Sequence, residues 1–237
     1  MVAEGEDVLA SALERGVTPV AVLFDEDRVL ADDPLLAATA GLDERYTVPA
    51  DLLARASTLA APPRVLAVLP QPPPPSFGDV AFPPRPALWL TAVADPGNVG
   101  TLVRTAAALG ADWLALGPGS ADPYHPRAVR AAMGATFALP LLQRVSPEDL
   151  ATREGFGVVA GVPSGGRPPW EVDLSGPAVI ALGAEREGVE PALAAFADRP
   201  VVRVTIPQRP GAESLNVAAA GAVLLAEASR QRAARAG

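Results

Sequence analysis

Three short polar segments hold the residues of this chain whose types and spacing could do chemistry. They are Asp95-Pro-Gly-Asn-Val-Gly100 with Arg104 just beyond it, Leu182-Gly-Ala-Glu185-Arg-Glu-Gly188, and Ile206-Pro-Gln208-Arg-Pro-Gly-Ala-Glu213-Ser214-Leu215-Asn216-Val217. Each closes an apolar, strand-like run and opens a helix-like one. A glycine-rich turn at a helix start offers free N–H groups to an anion. The first turn lacks G-x-G-x-x-G and G-K-[ST], so neither a dinucleotide nor a P-loop fingerprint is present. Read singly, each segment is also an ordinary helix start, with Asn98 as a cap above a solvated Arg104, Glu185 favoured by a helix dipole, and Ser214 or Asn216 as a cap. Together they set Asn98, Arg104, Glu185, Ser214 and Asn216 at one edge, a polar cluster that capping alone does not call for.

Composition removes whole classes of chemistry. The chain has 237 residues and no cysteine, which excludes disulfides, thiol nucleophiles and Cys-based zinc sites. One histidine, His125, cannot build a His-based metal cluster, so no metal is expected. Every basic residue is arginine, which removes Schiff-base lysines and Walker-type phosphate binding. About half the residues are apolar and 19% are charged, the balance of a folded protein. No apolar run approaches the ~18 residues of a membrane span. The first residues are acidic where a secretion signal would be basic, so a cytoplasmic location and no membrane partner are expected. The net charge of −8 is uneven: residues 1–86 carry 13 acids against 6 arginines, and residues 87–237 carry 14 against 13. An acidic surface works against general binding to a phosphate backbone.

The elements that must position the three segments can be read from periodicity. In residues 1–70 helical runs at Val8 to Arg15, Pro34 to Ala40 and Asp51 to Ala60 alternate with strands at Val20 to Phe24 and Val65 to Leu69, a small α/β domain. Gln71-Pro-Pro-Pro-Pro75 and Phe82-Pro-Pro-Arg-Pro86 cannot continue a helix or a central strand, so residues 71–86 read as a linker. From residue 87 to 237 continuous apolar strands alternate with helices, which predicts a mostly parallel sheet covered on both faces. Ligands of such sheets bind beyond the carboxyl ends of the strands, where all three polar segments fall. His125, in Asp122-Pro-Tyr-His-Pro126, reads as a structural turn residue. Arg127 and Arg130 follow on a short helix, and with Arg104 they form either a basic strip for a phosphate backbone or a solvated face. Arg230, Arg232 and Arg235 complement a helix dipole.

The order and spacing of Asn98-x-Gly100-x-x-x-Arg104, Leu182-Gly-x-Glu185-x-x-Gly188 and Ile206-Pro followed by Leu215-Asn216-Val217 resemble the three motifs of the SpoU (TrmH) family of RNA ribose 2′-O-methyltransferases, over about residues 87 to 232. Glu4-Gly-x-x-Val8-Leu9 and Arg64-Val-Leu-Ala-Val68 resemble, more weakly, the L30e-like substrate-binding domain often found ahead of that catalytic domain. Gln208 stands where the family usually has Met.

The resemblance implies a SPOUT fold, its C-terminal segment threaded through a loop as a deep trefoil knot, one of the rare exceptions to unknotted topology. It also implies a homodimer and S-adenosylmethionine held by Leu182, Gly183, Ala184, Gly188, Ile206, Gln208 and Leu215, with Val162 near the adenine. Its chemistry is attack of a ribose hydroxyl on the donor methyl, ribosomal RNA being the expected acceptor. Arg104 is the family's proposed base. An arginine pKa above ~12 argues instead for phosphate clamping, with water or a phosphate oxygen taking the proton. Asn98, Glu185, Ser214 and Asn216 would fix the Arg104 fork and the ribose. A non-catalytic module that keeps the fold is the second reading, and transfer RNA or a non-RNA acceptor the third.

Overall fold

The computed structural model describes residues 1–78, 80, 85–184, 186–209, 211 and 214–236, without the side chain of Ala236. Strands β1 (Val2–Glu4), β2 (Ala21–Asp25), β3 (Arg45–Val48) and β4 (Val65–Val68) form a mixed sheet in the order β1-β4-β2-β3. Helices α1 (Glu6–Glu14), α2 (Pro34–Ala38) and α3 (Ala50–Ala56) accompany it. The second sheet contains β5 (Ala87–Leu90), β6 (Leu114–Leu116), β7 (Leu141–Gln143), β8 (Gly157–Gly161), β9 (Ala178–Leu182) and β10 (Val201–Val204). Its order is β10-β8-β9-β5-β6-β7 and every pairing is parallel. Helices α4 (Pro96–Ala108), α5 (Pro126–Ala132), α6 (Pro147–Ala151), α7 (Glu190–Leu193) and α8 (Val217–Ala236) complete it.

Parallel strands covered on both faces must be apolar at every position, and β5 (ALWL), β6 (LAL) and β9 (AVIAL) are buried throughout. The pleat sends alternate residues to opposite sides. Leu88, Leu90, Ile180 and Leu182 join one core with α4 and α8, while Ala87, Trp89, Val179 and Ala181 join the other with Phe196. Helix α4 starts where Asp95 Oδ1 accepts from the Asn98 N–H at 2.9 Å, with Pro96 at the first helical position. The cap is therefore Asp95 and not Asn98, which leaves the Asn98 side chain for other work.

Two glycines permit the close crossings that hold α4. A Cβ on Gly100 would stand 2.1 Å from Ala128 O of α5, and one on Gly221 of α8 would stand 2.4 Å from Leu102 Cδ2. Helix α5 in turn belongs to both halves of the molecule. Ala132 packs in the core of the larger sheet and Val129 in that of the smaller. Arg130 reaches Glu4 of β1 at 2.7 Å, and the Glu4 carboxylate also accepts from Ser57 Oγ, Thr58 N and Thr58 Oγ1 at 3.0, 2.6 and 2.8 Å. Burial pushes the Glu4 carboxyl up, and the hydrogen bonds from Thr58 and Ser57, with the Arg130 charge, outweigh it and leave its pKa lowered.

Candidate active site

The three polar segments emerge at the carboxyl ends of β5, β9 and β10. The β9 loop turns back on itself, with Gly188 at φ 68° and its N–H donating to Ala184 O at 2.9 Å. The turn closes so tightly that a Cβ on Gly183 would lie 2.0 Å from the Gly188 carbonyl. Beside it lies a pocket of about 200 Å³. The β8 end contributes Val162, the β9 loop contributes Leu182, Gly183, Ala184 and Gly188, and the β10 loop contributes Ile206, Gln208 and Leu215. These are the eight positions expected around a donor. The N–H groups of Gly183, Ile206 and Gln208 make no backbone hydrogen bond among the described residues. An apolar pocket with free backbone donors suits the edge of an adenine.

A second pocket, of about 410 Å³, adjoins the first. Asp95 and Asn98 line it, and Ala184, Arg186, Glu187 and Val217 line both. Ala92, also on its wall, has φ 56°, a left-handed backbone unusual for a residue with a Cβ. Asn216 lines neither pocket but is bonded to Asn98 on the wall of the second. Its Oδ1 accepts from Ala218 N at 2.8 Å and Ala219 N at 3.3 Å, capping α8, while its Nδ2 donates to Asn98 Oδ1 at 3.0 Å. One amide thus fixes the start of α8 and the orientation of a residue in the first turn of α4.

Of the expected catalytic residues, Asn98 and Asn216 are in contact, and Ser214 lines the first pocket. Glu185 and Glu213 lie outside the described residues. Arg104 is exposed on α4 and lines neither pocket, and among the described residues it makes no hydrogen bond or ion pair. Six steps along the helix separate it from Asn98, about 9 Å along the axis and about 120° around it.

Arg127 and Arg130 form no basic strip. Arg127 pairs with Asp95 at 3.2 Å and Arg130 with Glu4. His125 caps α5, its Nδ1 accepting from Arg127 N at 3.2 Å. At the far end of α8, Arg230 pairs with Glu227 and Arg235 with Asp173. Asp95, Arg186 and Glu187 were absent from the expected site. Pro96 at a helix start signals a cap at the preceding position, so Asp95 could have been found. Among the described residues no group of His, Asp or Glu side chains could hold a metal, and no helix is long and apolar enough to cross a membrane.

A parallel α/β sheet with an apolar pocket at its strand ends and an asparagine pair beside it is the arrangement expected of the methylase family that the three motifs resemble. The chain belongs to the SpoU rRNA methylase family, whose model matches residues 85–226. Among its relatives is the 23S rRNA (guanosine(2553)-2′-O)-methyltransferase RlmP of Bacillus subtilis, 32% identical over 94% of this chain and 85% of that protein. A 23S rRNA (uridine(2479)-2′-O)-methyltransferase of Streptomyces viridochromogenes is 30% identical over 94% of this chain and 80% of its own length. The crystal structure of the SpoU methyltransferase AviRb from Streptomyces viridochromogenes in complex with the cofactor AdoMet superposes with a TM-score of 0.83 at 28% identity, over 98% of this chain and 90% of that one.

Proposed function

We propose that this protein transfers a methyl group from S-adenosylmethionine to a ribose 2′-hydroxyl of ribosomal RNA. The observation that carries this reading is the pair of adjoining pockets, which share Ala184, Arg186, Glu187 and Val217, with the Asn216–Asn98 contact at the second. The eight residues of the first pocket hold the donor, and Asn98, Asn216 and Ser214 orient the acceptor ribose, with Glu185 assigned to the same task from its motif. When bound, S-adenosylmethionine supplies a sulfonium methyl open to in-line attack by an oxygen. The chain's own contribution is alignment, which alone is worth several powers of ten in rate. A guanidinium holds its proton at neutral pH, so Arg104 clamps a phosphate, and water or a phosphate oxygen takes the hydroxyl proton.

Arg104 cannot do this from its own chain's pockets. We place it at the site of a second copy in a two-fold dimer, the commonest closed assembly. Exposed Val223 on α8 and Leu215 at the pocket mouth supply apolar surface for that contact. The return of α8 from the β10 side of the sheet onto α4 supports the trefoil knot that the family motifs imply. The compact α/β unit built on β1 to β4 supports the L30e-like assignment to residues 1–70; residues 71–86 as linker and a cytoplasmic location complete the reading. Calorimetry with S-adenosylmethionine and a ribose-methylation map of rRNA from cells with and without the protein test the proposal. Absence of donor binding, or an unchanged map, would sink it.

A further inference from the structure

Arg186 stands on the wall that the two pockets share, and among the described residues it is the one basic side chain lining either of them. The acids around it are unequal. Asp95 is paired with Arg127 and Glu190 with Arg203 at 3.0 Å, whereas Glu187, on the same shared wall, has no ion-pair partner among the described residues. Glu187 alone would make this wall repel a phosphodiester. Arg186 offsets that charge, and it is exposed, with no hydrogen bond or ion pair of its own among the described residues. The neighbouring arginines that could have served the same purpose, Arg127 and Arg130, are engaged in pairs within the protein.

We propose that Arg186 is a substrate-binding residue that grips the phosphodiester next to the target ribose, at the boundary between the donor pocket and the Asn98 pocket. The inference deepens the function proposed above and rests on it. A guanidinium presents a planar fork of donors that matches two phosphate oxygens, which a single ammonium does not. Placed between the pockets, that fork fixes the ribose on one side while the donor is fixed on the other. The shared chemistry is recognition of an anion, and the carboxylate of the methyl donor is the competing anion that the test must separate from the phosphodiester.

The test uses full-length protein, a 23S rRNA transcript and S-adenosylmethionine, with Arg186→Ala, Arg186→Gln and Arg186→Lys compared with the unaltered chain. Loss of a charge-assisted contact should raise the Kd and KM for RNA about 10- to 100-fold in the Ala and Gln variants. The slope of log Kd against log salt should fall by about 0.7 to 0.9, while donor affinity by calorimetry stays within about twofold of the unaltered chain. Arg186→Lys should keep the salt slope and lose part of the affinity. A variant with weakened donor binding and unchanged RNA affinity would assign Arg186 to the donor carboxylate and overturn the proposal, as would unchanged RNA affinity and salt slope throughout. Failure of the unaltered chain to bind donor or transfer methyl would instead defeat the function on which the inference stands.

Discussion

Asn216 Nδ2 lies 3.0 Å from Asn98 Oδ1, a contact between residues 118 positions apart that ties the β10 loop to the start of α4. The same Asn216 amide caps α8 through its oxygen. Its two ends can therefore be separated by mutation. In Asn216→Asp a carboxylate oxygen still accepts from the α8 N–H groups, but the donation from Asn216 Nδ2 to Asn98 Oδ1 is lost. Thermal stability should be kept while methyl transfer falls at least about tenfold, the loss of one orienting hydrogen bond. Asn216→Ala should lose the transfer and also about 1 kcal/mol of stability from the missing cap. Thermal melts beside labelled-methyl assays check both.

Arg104→Ala should abolish transfer and leave donor binding nearly intact. Because Arg104 is proposed to serve the site of a second copy, mixing inactive Arg104→Ala and Asn216→Asp chains should restore activity. Half of randomly paired dimers are mixed and each holds one complete site, so about a quarter of full activity should return. No recovery after subunit exchange would place Arg104 at its own chain's site.

Gly100→Ala would thrust a methyl against Ala128 O and force α4 away from α5. Such overpacking costs about 1–3 kcal/mol. A fall in melting temperature of about 2–4 °C for each kcal/mol should accompany it, and Asn98, on the first turn of the displaced helix, should lose transfer activity with it.

Acid should loosen the N-terminal sheet first. Burial raises the carboxyls of Glu4, Asp25 and Asp33, and hydrogen bonds from Thr58 and Ser57, from Arg28 and from Arg64 respectively reverse the effect and leave all three lowered. A lowered folded pKa gives stability that is complete above the ordinary values of 4.5 and 3.8 and is lost as pH falls through the folded ones. Amide exchange in β2 and β4 should therefore quicken below about pH 4 before the fluorescence of Trp89 and Trp113 in the larger half changes. Glu4→Gln should flatten this dependence. Simultaneous loss in both halves would contradict the assignment.

Much of this site is legible in the sequence because its backbone demands are local. Gly183 and Gly188 mark a turn that no side chain fits, and the uninterrupted apolar runs of β5, β6 and β9 announce strands buried on both faces. The short strands β1 (VAE), β3 (RYTV) and β7 (LLQ) escape notice because they mix polar and apolar residues over three or four positions, with neither an uninterrupted apolar run nor enough length to show a period. Charge pairing was hidden for a different reason. Arg127 and Arg130 look like a basic strip until tertiary structure sets Asp95 and Glu4 against them. Arg104 looks adjacent to Asn98 in sequence, and the helical repeat turns it to another face.

The sharing of α5 between two cores has a consequence for choosing a target. Val129 and Arg130 are built into the N-terminal half, while Ala128 braces the helix that presents Asn98. Because α5 packs into both cores, the two halves are held together along this helix as the parts of a ruler are. On the L30e-like assignment proposed above, an RNA would qualify when the distance from the feature the N-terminal half engages to the reactive hydroxyl equals a length set inside the protein, and an acidic domain with few spare cations would select its site by measurement.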